Sequence, residues 1–250
     1  MTGARGAALV TGASGRIGRA IALKLAGAGF DLAVHYRSDP KGADAVVAEV
    51  AAMGRRAVAL AADLTDEAAT RTLVSAAAGR LGPISVLVNS ASVFEDDRAG
   101  AIDRDRWDRH FETNLRAPVV LAEAFAAQAP DGAVVVNILD QRVLRPTPQF
   151  FSYGLSKSAL WSATRMLAQA WAPRIRVNGV GPGPTLASIH QTADTFAAEA
   201  QGTLLGRPVA PEEIAQAVLY LVDAPSVTGQ MIAVDSGQHL GWRTPDVQEP

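Results

Sequence analysis

Seven short apolar runs, each set off by longer stretches of mixed polarity, constrain this chain more than any other feature. They are AALV (7–10), FDLAVHY (30–36), AVALAA (57–62), ISVLVN (84–89), AVVVNI (133–138), IRVNGV (175–180) and MIAV (231–234). Runs this short and this apolar suit strands covered on both faces. Between most of them lie helix-length segments rich in Ala, Leu, Glu and Arg. That order reads as repeated βαβ units. Right-handed crossovers turn such units into a doubly wound parallel sheet.

The length of 250 residues fits one α/β domain, and 48% hydrophobic residues supply its core. We expect a single domain over residues 1–250, with about seven strands and helices on both faces. The longest helix candidate runs from Tyr153 to Ala172, where Pro173 stops it. Another starts at Pro211-Glu212-Glu213, with proline and acids in the first turn. Residues 185–205 read as a loop, and 241–250 as a surface arm containing Trp242.

Composition excludes several functions. A net charge of −2 leaves no footprint for nucleic acid, and no basic run attracts a membrane. The absence of cysteine rules out disulfides, thiolate metal sites and cysteine nucleophiles. His35, His110, His190 and His239 are too scattered for a recognised metal motif, so no metal is expected. The N-terminus lacks the apolar core of a signal peptide, and no apolar run approaches the roughly 18 residues of a membrane span. A soluble cytoplasmic protein is the expectation.

TGASGRIG (11–18) follows the first strand and opens a helix. Glycines at 12, 15 and 18 permit a tight turn and close backbone approach, and a helix N-terminus offers N–H groups to a pyrophosphate. The context points to a Rossmann-type nucleotide site, although a plain strand–helix turn has the same outline. The second strand ends in His35-Tyr36-Arg37-Ser38, with no acid before Asp39 to hold ribose hydroxyls. Arg37 and Ser38 suit a ribose 2′-phosphate, hence NADP, unless Arg37 is only an exposed loop residue. Asp63 is placed either to bond adenine or to cap the helix starting near Asp66.

TGASGRIG, Asn89, Asn114, Tyr153-Gly-Leu-Ser-Lys157 and Pro182-Gly183 together resemble the short-chain dehydrogenases/reductases, in order and spacing, up to about Gly237. The resemblance implies an NADPH/NADP site formed by Gly12, Ser14, Arg16, Ile17, Tyr36, Arg37, Ser38, Asp63, Leu64, Asn89, Ser90, Ala91, Tyr153, Lys157, Pro182 and Gly183. It implies that Tyr153 delivers a proton as hydride arrives, that Lys157 binds the nicotinamide ribose, and that Asn114 joins a proton relay. It also implies a homotetramer with the long helices near Asn114 and Tyr153 in its interfaces, and a substrate-covering role for the loop 185–205. Independently, a spacing of four residues puts Tyr153 and Lys157 on one helix face, where an ammonium favours the phenolate.

One position departs from that family. Its members often carry a serine thirteen residues before the tyrosine, and here that position is Asp140. An ionised carboxylate beside Tyr153 raises the phenol pKa, and a protonated one donates in its own right. Asp140 with Tyr153 and Lys157 is similar to the pteridine reductase branch, with the related dihydromonapterin and dihydrofolate reductases of bacteria. Asn89-Ser-Ala-Ser-Val-Phe94 also resembles that branch, where the phenylalanine stacks on a planar pterin. Arg16 matches an arginine that reaches cofactor phosphate and pterin.

The implied activity is NADPH-dependent hydride transfer to a pterin-like C=N bond, with substrate contacts at Arg16, Phe94, Asp140 and Tyr153. A carbonyl reductase or alcohol dehydrogenase acting on a ketone, 3-oxoacyl or sugar substrate is the alternative, and a non-catalytic NADP-binding protein is a second. Two further possibilities concern Asp140 itself. It marks weakened activity, or a shifted strand end brings Gln141 or Ser152 to the site instead.

Overall fold

A computed structural model describes residues 5–188 and 191–242. Its seven strands are β1 (Ala7–Val10), β2 (Asp31–Tyr36), β3 (Ala57–Ala61), β4 (Ile84–Asn89), β5 (Ala133–Ile138), β6 (Ile175–Pro182) and β7 (Met231–Val234). They form one fully parallel sheet in the order β3-β2-β1-β4-β5-β6-β7. Each expected strand is present to within about two residues.

Successive side chains of a strand point to opposite faces, so a strand buried on both must be apolar throughout. In β1, Ala8 and Val10 face α1 (Arg16–Gly27), α2 (Pro40–Ala52) and α8 (Pro211–Asp223). Ala7 and Leu9 face α3 (Glu67–Leu81), α5 (Ala117–Gln128) and α6 (Phe151–Trp171). Fully burying one Leu or Ile of this core contributes roughly 1.5–3 kcal/mol. The small residues Ala22 and Ala215 lie buried in the core that α1 and α8 share, with Ile21, Leu25, Ile214 and Val218.

The buried stripe of α6 is unusual in being polar. Tyr153, Ser156, Lys157 and Thr164 share it with Leu160 and Ala168. Thr164 accepts from Asn137 Nδ2 at 2.9 Å, and Asn137 Oδ1 accepts from Asn89 Nδ2 at 2.8 Å. This chain of amides joins the helix to β5 and β4, and it satisfies most of the polar atoms that burial would otherwise penalise.

Two local expectations change. Asp66, not Asp63, caps α3, by accepting from Ala68 and Ala69 N–H. Asp63 instead accepts from Thr65 N and Oγ, forming an Asx turn. The segment 185–205 is not all loop, because Ala193–Gln201 forms helix α7, started by a reciprocal Thr192–Thr195 capping box. Residues 243–250 of the expected arm lie outside the described residues, and Trp242 is 56% exposed. Among the described residues no helix is long and apolar enough to cross a membrane.

The strand order reverses between β1 and β4, which opens a crevice at their C-terminal ends. The glycine turn enters it, and packing there is tight: a Cβ on Gly18 would sit 2.2 Å from Gly12 O. Gly18→Ala is expected to lower stability by about 1–3 kcal/mol through overpacking. Denaturant unfolding checks this, and an unchanged midpoint would mean the turn has slack.

Candidate active site

A cleft of about 1100 Å³ occupies that crevice. Of the residues expected there, Gly12, Ser14, Arg16, Ile17, Arg37, Ser38, Asp63, Leu64, Ser90, Ala91, Phe94, Asp140, Tyr153, Lys157, Pro182 and Gly183 line it. Tyr36, Asn89 and Asn114 do not. Tyr36 packs against the core as the last residue of β2. Asn89 is buried and spends its amide on Asn137 and Pro118. Asn114 is fully buried and bonds Val93 on both its N–H and its C=O, with further contacts to Ser92 and Ser156.

The floor of the cleft fits a nucleotide. Gly12 sits at φ +64°, and a side chain there would press on the Ala91 backbone. Gly15 begins α1 with no side-chain cap, and a Cβ on it would meet nothing within 4 Å. The first N–H groups of α1 are therefore offered to the cleft, where an anion is favoured. Gly12 N–H donates to His35 Nδ1 at 3.1 Å, which leaves the imidazole proton on Nε2, 3.1 Å from Ala62 O. Burial lowers the His35 pKa, in keeping with that neutral form.

Beyond β2, Arg37 and Ser38 are exposed at the cleft. The first acid after them, Asp39, is occupied as the N-cap of α2, accepting Gly42 N–H at 2.9 Å. Arg16 adopts φ +52°, a left-handed conformation uncommon outside glycine. Its guanidinium donates to Leu186 O and Ala187 O at 3.2 and 3.3 Å. Arg16 thus ties the glycine turn to the segment that follows β6.

The chemical centre lies where β5 ends against α6. Asp140 Oδ1 accepts Arg142 N–H at 2.8 Å, capping the short 3-10 turn Gln141–Val143. That bond turns Oδ2 toward the helix, where Tyr153 Oη donates to it at 2.8 Å. No shift of the strand end occurs, so neither Gln141 nor Ser152 replaces Asp140. Tyr153 is buried, which pushes its pKa well above the usual 10. The charge and hydrogen bond of Asp140 push the same way, and Arg142 opposes them. Lys157 is 2% exposed and donates to Ile138 O at 2.8 Å. Burial lowers its pKa to about 8, against the pull of Asp140.

Aromatic rings shape the mouth. Phe94 meets Tyr153 edge-on, with centroids 4.7 Å apart. One of its faces is stacked on Phe150 at 4.3 Å and 12°. Phe150 precedes α6 at φ +53°, a strained conformation of the kind that gathers at functional sites. Arg142 lies over both rings, 5.6 Å from Phe94 and 5.2 Å from Phe150. Sequence reasoning missed Phe150 and Arg142. The Phe150-Phe151 doublet before the tyrosine and the DQR triplet were the available signals.

A family model described as enoyl-(acyl carrier protein) reductase matches residues 12–239. An uncharacterised oxidoreductase of Methylorubrum extorquens is 36% identical over 240 residues, covering 92% of this chain and 96% of its own. The chain belongs to the short-chain dehydrogenase/reductase family. Within that family its substrate relationships are spread out. The 3-oxoacyl-[acyl-carrier-protein] reductase of Staphylococcus aureus is 30% identical over 243 residues, covering 93% of this chain and 98% of its own. A crystal structure of FolM alternative dihydrofolate reductase 1 from Brucella canis, complexed with NADP, is 46% identical with a TM-score of 0.94, covering 98% of both chains.

Burial of Lys157 makes the stability of the fold depend on pH. Its folded-state pKa lies below the free value of 10.5, so the penalty for its charge is full below about pH 8 and fades as pH rises toward 10.5. The penalty is on the order of 3 kcal/mol. Lys157→Met removes it. The stability of the intact protein should therefore gain on that of Lys157→Met as pH climbs from about 8 to 10. Parallel unfolding curves across that window would show that the ammonium is not desolvated.

Proposed function

We propose that this protein is an NADPH-dependent reductase of a pterin-like C=N bond. The observation that carries the proposal is the 2.8 Å hydrogen bond from Tyr153 Oη to Asp140 Oδ2. A serine hydroxyl at this point would donate to a carbonyl oxygen. An ionised carboxylate has no proton to give and repels the carbonyl lone pairs. It accepts instead from N–H groups, which a pterin presents beside its reducible bond. The same carboxylate keeps the phenol protonated, ready to give that proton to a ring nitrogen. Similarity to the Brucella FolM protein supports this reading.

Arg37 and Ser38 would hold the 2′-phosphate, the uncapped start of α1 the pyrophosphate, and Lys157 the nicotinamide ribose. When bound, NADPH supplies the hydride to the ring carbon. Asp140 accepts the substrate's N–H donors and orients it, while Phe94 packs on the flat ring. The Tyr153 hydrogen turns from Asp140 to the substrate nitrogen. The phenolate left behind is flanked by the cations of Lys157 and Arg142, which limit its repulsion by Asp140. Asn114 takes part from outside the cleft, by holding Val93 and Ser156. The exposed Leu155 and Met166 on α6 support assembly as a homotetramer, and a cytoplasmic location suits the substrate.

NADPH oxidation measured against dihydrobiopterin, dihydrofolate and simple ketones tests the proposal. A pterin or folate should be turned over, and Asp140→Ser should lose that turnover by about tenfold or more, as for a removed acid–base group. Good ketone turnover with none on any pterin would instead favour the 3-oxoacyl type of reductase. If Asp140→Ser keeps pterin turnover, the carboxylate lies outside the proton path.

A further inference from the structure

We infer that His110 is a positioning residue of this site: as a neutral imidazole protonated on Nδ1, it fixes the Phe94 segment to the first turn of the tyrosine helix. His110 belongs to α4 (Arg104–Phe111), is fully buried and does not line the cleft. Its Nε2 accepts the Glu95 N–H at 3.1 Å, and its Nδ1 lies 2.7 Å from Ser152 Oγ. A backbone N–H can only donate, so Nε2 carries no proton. The ring's one hydrogen is on Nδ1 and points to Ser152.

Each of these two bonds ends one residue from a ring that shapes the site. Glu95 follows Phe94, and Ser152 precedes Tyr153. Asp97 makes a second tie between the same two segments, its carboxylate accepting Ser152 N–H at 3.0 Å and its carbonyl accepting Phe151 N–H at 3.2 Å. On the other side of Phe94, Asn114 grips Val93 through N–H and C=O, at 2.8 and 2.9 Å. Phe94 is thereby clamped on both flanks, and His110 is the only member of the clamp that changes charge near neutral pH. The Ser152–His110 pair is not a nucleophile, because Ser152 is fully buried and the far ring nitrogen faces an amide rather than an acid.

The charged and titratable groups around His110 come from three elements. The Phe94 segment contributes Glu95 and Asp97, α4 contributes Arg106 and Arg109, and α6 contributes Tyr153, whose ring is 5.9 Å away. Burial is the largest influence and holds the imidazole below its usual 6.5, while the two acids pull it up. Protonation would place an N–H on Nε2 facing the Glu95 N–H. Two donors cannot bond, so acid releases the Phe94 segment.

This inference rests on Phe94 and Tyr153 facing the substrate, whichever substrate that is. The test uses the full-length enzyme and whichever member of the pterin, folate and ketone panel it turns over. Absence of pterin turnover therefore bears on the proposed substrate and leaves this test intact. His110→Gln keeps one donor and one acceptor and does not titrate, whereas His110→Phe keeps neither. His110→Phe should raise KM by about tenfold, the effect of two lost hydrogen bonds, with NADPH affinity unchanged. His110→Gln should restore KM to within about threefold of the parent. The parent's KM should climb as pH falls through the lowered pKa of His110, which lies beneath 6.5, and that rise should be absent in His110→Gln. An equal acid rise in parent and His110→Gln overturns the inference, and so does an unchanged KM in His110→Phe. The Gln pH profile decides the matter if the Phe variant does not fold.

Discussion

The Asp140 carboxylate is the charge around which the site is arranged. One oxygen caps the turn after β5 and the other takes the Tyr153 hydrogen, so the backbone itself sets the direction of the second bond. Its charge raises the Tyr153 pKa and supports the ammonium of Lys157, which burial alone would strip further of its proton. Arg142, 3.6 Å away, supplies a second cation. Removing the carboxylate would leave two cations and a phenol with no anion between them. That arrangement favours the phenolate and so would reverse the chemistry of the site.

Supporting these charges explains the polar stripe on α6. A lysine that is 2% exposed is tolerable only where its ammonium finds a fixed acceptor, here Ile138 O at the end of β5. The strand end, the capped turn and the helix must therefore stay in register. The Asn89–Asn137–Thr164 chain holds that register from below, and the clamp on Phe94 holds the aromatic mouth from above.

Most of the fold was legible because the sheet is buried on both faces. Runs such as AVVVNI have no polar face to confuse with a helix, and the spacing between runs gives the crossovers. Legibility fails where short-range chemistry competes. Asp63 and Asp66 are both plausible caps, and only the observed bonds assign the role to Asp66. Helix α7 sits in a segment whose Ala and Thr content suited a loop equally well. A π-helical turn at Glu112–Arg116 interrupts the helical phase around Asn114, and local sequence carries no sign of it.

The site divides along the same line. Gly12, Gly18, Tyr153 and Lys157 were readable because their spacing is local or follows a strand–turn–helix pattern, and Asp140 because it departs from the serine of the resembled family. His110, Ser152, Asn89 and Asn137 act through partners 42 and 48 residues away, and no spacing rule announces such pairs. Phe150 and Arg142 matter because of a left-handed backbone and a stacked ring, both set by tertiary context. The central claim is that Asp140 keeps the Tyr153 phenol protonated. Following phenolate absorbance with pH in the intact protein and in Asp140→Asn tests it directly. The protein has three tyrosines, and the last to ionise should do so at lower pH in the variant. A titration that is unchanged, or displaced to higher pH, would contradict the account.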